Sequence, residues 1–208
     1  MKGKIHAIAT AVYICLIPRL HVPEPIQIPV CIYIASVLCH FASSTVLHIY
    51  PWSGRKLSFF RKLDHSVIFI KIVATYWVFI NTIIPDVNIY LKISLYGGAI
   101  LGILSRLLHT DAPQIFVVIP YLMVGWSALL DHNSLKCLIV RSPETFIWGI
   151  IGGICISFGS VIYILRRPNP IPDILEFHEL FHICGVIGTI CLGYAIHGYA
   201  IPYHQSVH

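Results

Sequence analysis

Thr145-Phe146-Ile147-Trp148-Gly149-Ile150-Ile151-Gly152-Gly153-Ile154-Cys155-Ile156-Ser157-Phe158-Gly159-Ser160-Val161-Ile162-Tyr163-Ile164-Leu165 is a run without a single charge. A membrane-spanning helix needs roughly 20 mostly apolar residues, which at about 1.5 Å per residue match the hydrocarbon thickness of a bilayer. Working outward, five more runs read the same way: Ile26–Ile49, Ser66–Ile84, Val87–Leu108, Ala112–Leu130 and Leu180–Ile201. A seventh, Ile5–Ile17, is short and ends at Pro18-Arg19. It spans only with help from flanking residues or local bilayer thinning. The connections between these runs are short, and no repeat, low-complexity tail or separate soluble domain interrupts them.

Composition agrees. The 208 residues are 57% hydrophobic and 11% charged, with a mean hydropathy of +0.79, whereas a soluble domain carries about a quarter charged residues. One water-surrounded core of this length cannot hide so much apolar surface, so lipid must be the solvent for most of it. The expectation is an all-α polytopic membrane protein: a single integral domain over residues 1–208, folded as a seven-helix bundle with a short first helix. The apolar run after Lys2 and Lys4 lacks a small-residue cleavage site, so it reads as a span rather than a signal peptide. Cys15, Cys31, Cys39, Cys137, Cys155, Cys184 and Cys191 lie mostly inside apolar runs without CxxC spacing. They read as packing residues, not as a disulfide or zinc-ribbon framework. The net charge of +5 points to loops beside an anionic leaflet rather than to nucleic acid.

Charge also sets the orientation. Lys2, Lys4, Arg55, Lys56, Arg61, Lys62, Arg106, Arg166 and Arg167 share one side of a seven-span topology. Arg19, Lys92, Lys136 and Arg141 lie at the other. Nine against four predicts, by the positive-inside rule, a multi-pass protein of the cell membrane with a cytoplasmic N-terminus and an external C-terminus. The spacings Gly98-x-x-x-Gly102 and Gly149-x-x-x-Gly153 fit close helix packing.

Ionisable groups inside spans are costly and mark function by default. Ser44 and His48 lie four apart near the end of the second span, Asp64 opens the third, and His178 and His182 lie four apart at the start of the seventh. A spacing of four puts each pair on one helix face. The second span exits where the third enters, and the seventh enters from the same side, so all five residues share one leaflet. Three imidazoles with a carboxylate and a hydroxyl at one depth match a catalytic-type zinc site with an open position for water. Asp64 is suited to hold and deprotonate that water, and Ser44 to hydrogen-bond to it or to a substrate oxygen.

Blander readings compete. His178 and His182 suit an interfacial aromatic role, Asp64 a helix cap and Ser44 simple packing. His65 reads as supporting the site or facing the interface, and His40 as a buried polar partner or substitute ligand. His109, His132, His204 and His208 read as solvated, and His197 lies too far across the membrane to join. The coincidence of the five residues at one depth favours the metal. His178-Glu179-Leu180-Phe181-His182 is also literally H-E-x-x-H, the zinc-protease pattern with glutamate as base. Here, however, the third ligand comes from distant His48, Asp64 competes as base, and Glu179 is expected to face the headgroup interface.

These motifs, in this order, resemble the hemolysin III family, the bacterial branch of the progestin and adiponectin receptor group. The resemblance is carried by Ser43-Ser44-Thr45-Val46-Leu47-His48, by Leu63-Asp64-His65-Ser66-Val67-Ile68-Phe69, by Gly125-Trp126, and by the stretch from Tyr163 to His182. It covers most of the chain from the second span onward. It implies seven helices and a Zn2+ ion near the cytoplasmic face, with ligands falling on His48, His178 and His182 and with Asp64 and Ser44 at the metal-bound water. The wider superfamily includes alkaline ceramidases, so the implied chemistry is hydrolysis of a lipid amide. The chain departs from the family at its N-terminus, where Lys2-Gly3-Lys4-Ile5-His6 carries no glutamate.

Three functions follow. The first is a zinc-dependent hydrolase of a membrane lipid amide or ester. The second is a receptor-like or membrane-homeostasis protein whose zinc is structural. The third is a cytolytic pore, which needs a polar stripe lining water. The sequence argues against the pore, because its polar groups are expected at one depth only.

Overall fold

The computed structural model describes residues 8, 22–84, 86–109, 113–172 and 174–207. Within them the chain is all-α, and the only extended pairing is an isolated bridge between Ile171 and Leu175. The short first segment, Ile5–Ile17, lies outside the described residues apart from Ile8, as does His6. Five helices are long and apolar enough to cross a membrane: α1 (Gln27–Ile49, entered through a 3-10 turn at Glu24–Ile26), α2 (Gly54–Thr82), α3 (Ile89–Leu108), α6 (Pro143–Leu165) and α7 (Phe177–Val207). Between α3 and α6 lie a shorter apolar helix, α4 (Gln114–Gly125), and a ten-residue helix, α5 (His132–Arg141). The exposed face of α6 is formed by Ile147, Ile151, Ile154, Phe158, Val161 and Leu165. An apolar stripe at helical spacing turned outward is what a lipid-facing helix requires.

The boundaries differ from the sequence expectation in three informative places. Helix α2 begins at Gly54, twelve residues before the expected Ser66, because Arg55, Lys56, Arg61 and Lys62 extend the helix beyond its apolar part. Asp64 therefore lies ten residues past the helix start, 6% exposed, and it caps nothing. Helix α4 stops at Gly125 rather than Leu130. The Tyr76 hydroxyl donates to the Gly125 carbonyl (2.8 Å) and accepts from the Ala128 N–H (3.1 Å), replacing helical partners across the break to a 3-10 turn at Ser127–Leu130. Helix α5 occupies what reads as a loop. Its start is built by Asp131, which accepts from the Ser134 N–H (3.1 Å), the Ser134 hydroxyl (2.6 Å) and the Asn88 N–H (2.8 Å).

Two apolar cores hold the bundle. One joins α1, α2 and α7 through Tyr33, Val37, Phe41, Val78 and Ile196; the other joins α2, α3 and α4 through Phe69, Leu95, Val118 and Tyr121. Helices α6 and α7 form the most extensive pairing. They meet at Gly152 and Gly188, where a Cβ on Gly152 would lie 2.9 Å from the Gly188 carbonyl oxygen. Only glycine permits that approach. This seam fixes α7, and with it the helix end that carries two histidines. The end of α1 and the starts of α2 and α7 meet at one end of the bundle, called below the histidine end.

Candidate metal centre

His48 sits in the last turn of α1, just before the chain leaves the helix at Tyr50. Trp52 secures that exit: its indole N–H donates to the Val46 carbonyl (2.9 Å) and its ring stacks on Phe60 with centroids 4.4 Å apart. His178 and His182 occupy the first two turns of α7. A capping box sets this start, with the Glu176 and Glu179 side chains each bonded to the other residue's backbone N–H. Asn169 adds an acceptor for the Phe177 N–H (2.9 Å). Tyr163 of α6 packs its ring against both His178 (5.6 Å) and Phe181 (4.7 Å).

The three imidazoles converge. Ring centroids lie 4.9 Å apart for His48–His178 and His48–His182, and 4.6 Å for His178–His182. One nitrogen from each falls within 4.8 Å of the others. Nitrogens sharing one tetrahedral ion sit about 3.4 Å apart, from metal–nitrogen bonds of about 2.0–2.1 Å, so small ring rotations complete the set. The rings stand at 63–78° to one another. His182 is buried and the other two are half-buried. Donor type, convergence and shielding all fit a metal ion.

Asp64 does not join that trio of ligand atoms, but it lines the same cavity. Its carboxylate accepts from the Ser43 hydroxyl (3.2 Å), which also reaches the His40 carbonyl (3.0 Å). Ser44, expected to be the functional serine, is 1% exposed. It lies beside the same carboxylate without completing a hydrogen bond to it. The donor that holds Asp64 is thus Ser43, a residue to which the sequence reading gave no separate role. Glu179 also departs from expectation. It does not face the headgroup interface: it is 4% exposed, its Oε2 accepts from the Glu176 N–H (3.1 Å), and it does not line the cavity. His65 does line it. His204, expected to be solvated, is 7% exposed inside α7, and Arg106, counted above among the basic residues of the cytoplasmic side, is 3% exposed in the last turn of α3.

A second polar layer was not expected. Lys71 of α2 is 6% exposed; its Nζ donates to the Thr189 hydroxyl (3.1 Å) and meets His40 Nδ1 (3.1 Å). Lys71 is seven residues past Asp64, so it sits about 10 Å deeper along α2. His40 lies two turns before His48 and is the polar partner that one reading held, though half-buried rather than buried. The signal was available: a lysine inside an apolar run, on the face that carries Asp64. Polar groups therefore occupy two depths rather than one, which removes the reason given above for setting the pore aside. Both layers line one cavity of about 520 Å³. It runs from Arg61, His65 and Gln114 at the histidine end to Leu91, Ser134 and Thr145 at the other.

Comparison with known proteins agrees with this architecture. The family model described as haemolysin-III related matches residues 1–192. A hemolysin-3 homolog of Bacillus subtilis (strain 168) is 23% identical over 171 residues, covering 82% of this chain and 76% of that protein. Heptahelical transmembrane protein 3 of Arabidopsis thaliana is 25% identical over 177 residues, covering 78% of this chain; the match spans only 52% of the plant protein.

Proposed function

The chain belongs to the haemolysin-III related family of integral membrane proteins, and from that premise we propose that it is a zinc-dependent hydrolase of a membrane lipid amide or ester. The observation that carries the proposal is the convergence of His48, His178 and His182 within 4.8 Å, at the wall of a mostly apolar cavity that also contains Asp64. Neutral imidazoles are borderline-soft ligands that suit zinc, and a set of three leaves a coordination position for chemistry. When bound, zinc in such a set supplies Lewis-acid polarisation and lowers the cost of deprotonating water.

The chain's own residues supply the rest. Asp64 is a buried carboxylate beside the trio but outside it, suited to accept a proton from an attacking water and return it to the leaving amine or alcohol. Ser43 orients that carboxylate by donating to it. Ser44, on the next helical position, offers a hydroxyl toward the acyl oxygen. The apolar cavity excludes bulk water and gives an acyl chain a place to lie. The histidine end faces the cytoplasm in this reading, on the asymmetry of lysine and arginine. Setting buried Arg106 aside leaves eight against four.

The experiment is metal analysis of the purified protein, wild type beside a His48→Ala/His178→Ala double variant, followed by a screen for lipid-amide and lipid-ester hydrolysis. The expected result is stoichiometric zinc and turnover in the wild type, with both lost in the variant. Equal zinc in the two proteins would overturn the ligand assignment. Zinc without turnover on any lipid amide or ester would overturn the hydrolase.

A further inference from the structure

Lys71 is the charged group placed deepest in the bundle's interior among those lining the cavity, and its bonds define how it is used. Thr189 gives its own proton to the Gly185 carbonyl (2.8 Å), so the 3.1 Å bond from Lys71 to Thr189 has the lysine as donor. The bond to His40 Nδ1 takes a second proton of a group that carries three. Both partners are neutral acceptors. Asp64, the carboxylate on the same helix face, lies two turns away, so its charge acts on Lys71 through space and not through a direct hydrogen bond. An ammonium within a membrane bundle is costly unless an opposite charge compensates it. Asp64 compensates Lys71 only from two turns away, and one donor remains for whatever occupies the cavity.

The rest of the wall around this layer is hydrocarbon and aromatic, with Phe79, Leu122, Trp126, Ile156 and Leu192 lining it. A volume of about 520 Å³ falls in the range of small-molecule sites, about 300–1,000 Å³. A single acyl chain suits it better than a diacyl lipid. We infer that Lys71, positioned by His40 and Thr189, forms an anion subsite that binds the carboxylate of a single-chain fatty amphiphile about 10 Å from the histidine trio, with the chain in the apolar cavity. A carboxylate supplies both a countercharge in direct contact and an acceptor for the third N–H. The inference deepens the hydrolase reading by naming a ligand class for the same cavity, and it rests on that reading only for the ligand's metabolic role. Binding itself requires no metal.

The test measures equilibrium binding of hexadecanoate and hexadecanol to the full-length protein in lipid nanodiscs. Proteins compared are the wild type, Lys71→Met, Lys71→Arg and the His48→Ala/His178→Ala variant. Hexadecanoate should bind the wild type at least about tenfold tighter than the alcohol, the ratio that a hydrogen bond to a charged group supplies. Lys71→Met should abolish this preference, and Lys71→Arg should keep it. The metal-site variant should keep it too, because the carboxylate sits on Lys71. Equal binding of acid and alcohol by the wild type overturns the subsite, a result that needs no variant to fold. Preference retained in Lys71→Met, or lost together with the metal, overturns it as well, the latter because it would put the carboxylate on the trio. Absence of zinc from a wild type that still prefers the acid would defeat the hydrolase reading alone.

Discussion

Asp64→Asn separates the base of the reaction from the scaffold. Asparagine keeps the size of the side chain, and its amide oxygen can still accept from Ser43 at the 3.2 Å position. The stability change is thus the difference between a hydrogen bond to a charged acceptor, about 1.5–3 kcal/mol, and a neutral one, about 0.5–1.5 kcal/mol. That loss of about 1 kcal/mol is offset by the smaller cost of burying an amide than a carboxylate, so the variant should fold and keep its zinc. Turnover should fall about 10²–10⁴-fold, or roughly 3–5 kcal/mol of barrier at about 1.4 kcal/mol per tenfold. Glu179→Gln is the matched control. Glutamine still completes the capping box that Glu179 makes with Glu176, and position 179 does not line the cavity, so turnover should stay within a few-fold of wild type. Both variants are assayed for zinc by mass spectrometry and for release of free fatty acid from a lipid amide. Full turnover in Asp64→Asn with none in Glu179→Gln would refute the reasoning and hand the site to the H-E-x-x-H protease reading.

Three further outcomes can be checked. Gly152→Ala should destabilise by about 1–3 kcal/mol through overpacking against Gly188 and should lower zinc retention by displacing α7; Gly149→Ala meets nothing within 4 Å and should be neutral or slightly stabilising through helix propensity, both read by thermal unfolding in detergent. Burial alone would raise the Asp131 carboxyl, but the hydrogen bonds from Ser134 and the Asn88 amide outweigh it and hold it below the ordinary value of 3.8. Its contribution is therefore present above about pH 4 and lost as pH falls through the depressed value, and Asp131→Ala should cost roughly 1–3 kcal/mol at neutral pH by leaving those donors unpaired. Single cysteines at Ser53 and Ser206, in a background without reactive native thiols, should be labelled from outside intact cells at 206 only; labelling at 53 only reverses the orientation.

The spans were legible because a bilayer asks for length and apolarity, which a one-dimensional sequence records directly. Their ends were less so. The start of α2 lies among four basic residues, and a helix that extends into the headgroup region need not be apolar. The break after Gly125 depends on Tyr76, which is 49 residues away and silent in any local pattern. Helix α5 depends on Asp131 receiving donors from Asn88 and Ser134, a capping network assembled by the fold.

The site divides along the same line. Spacings of four put Ser44 with His48 and His178 with His182, and span order put both pairs with Asp64 at one end. Such statements need only the helical period and the alternation of a chain crossing a membrane. That Ser43 donates to Asp64 depends on the rotation of α1 against α2, which no spacing within one helix contains. Lys71 is the more instructive omission. Charge asymmetry is counted over loops, and one lysine barely lowers the hydropathy of a 29-residue helix that is still apolar enough to cross a membrane. Yet the helical period alone places Lys71 two turns below Asp64, and His40 two turns below His48. Polar positions about two turns from the site on two helices that pair are expected to meet at a second depth, as Lys71 and His40 do at 3.1 Å. An apolar run should therefore be searched for its exceptions at turn spacing from a known site before its average is taken, because a charge the average hides is the one the bilayer makes most costly to keep.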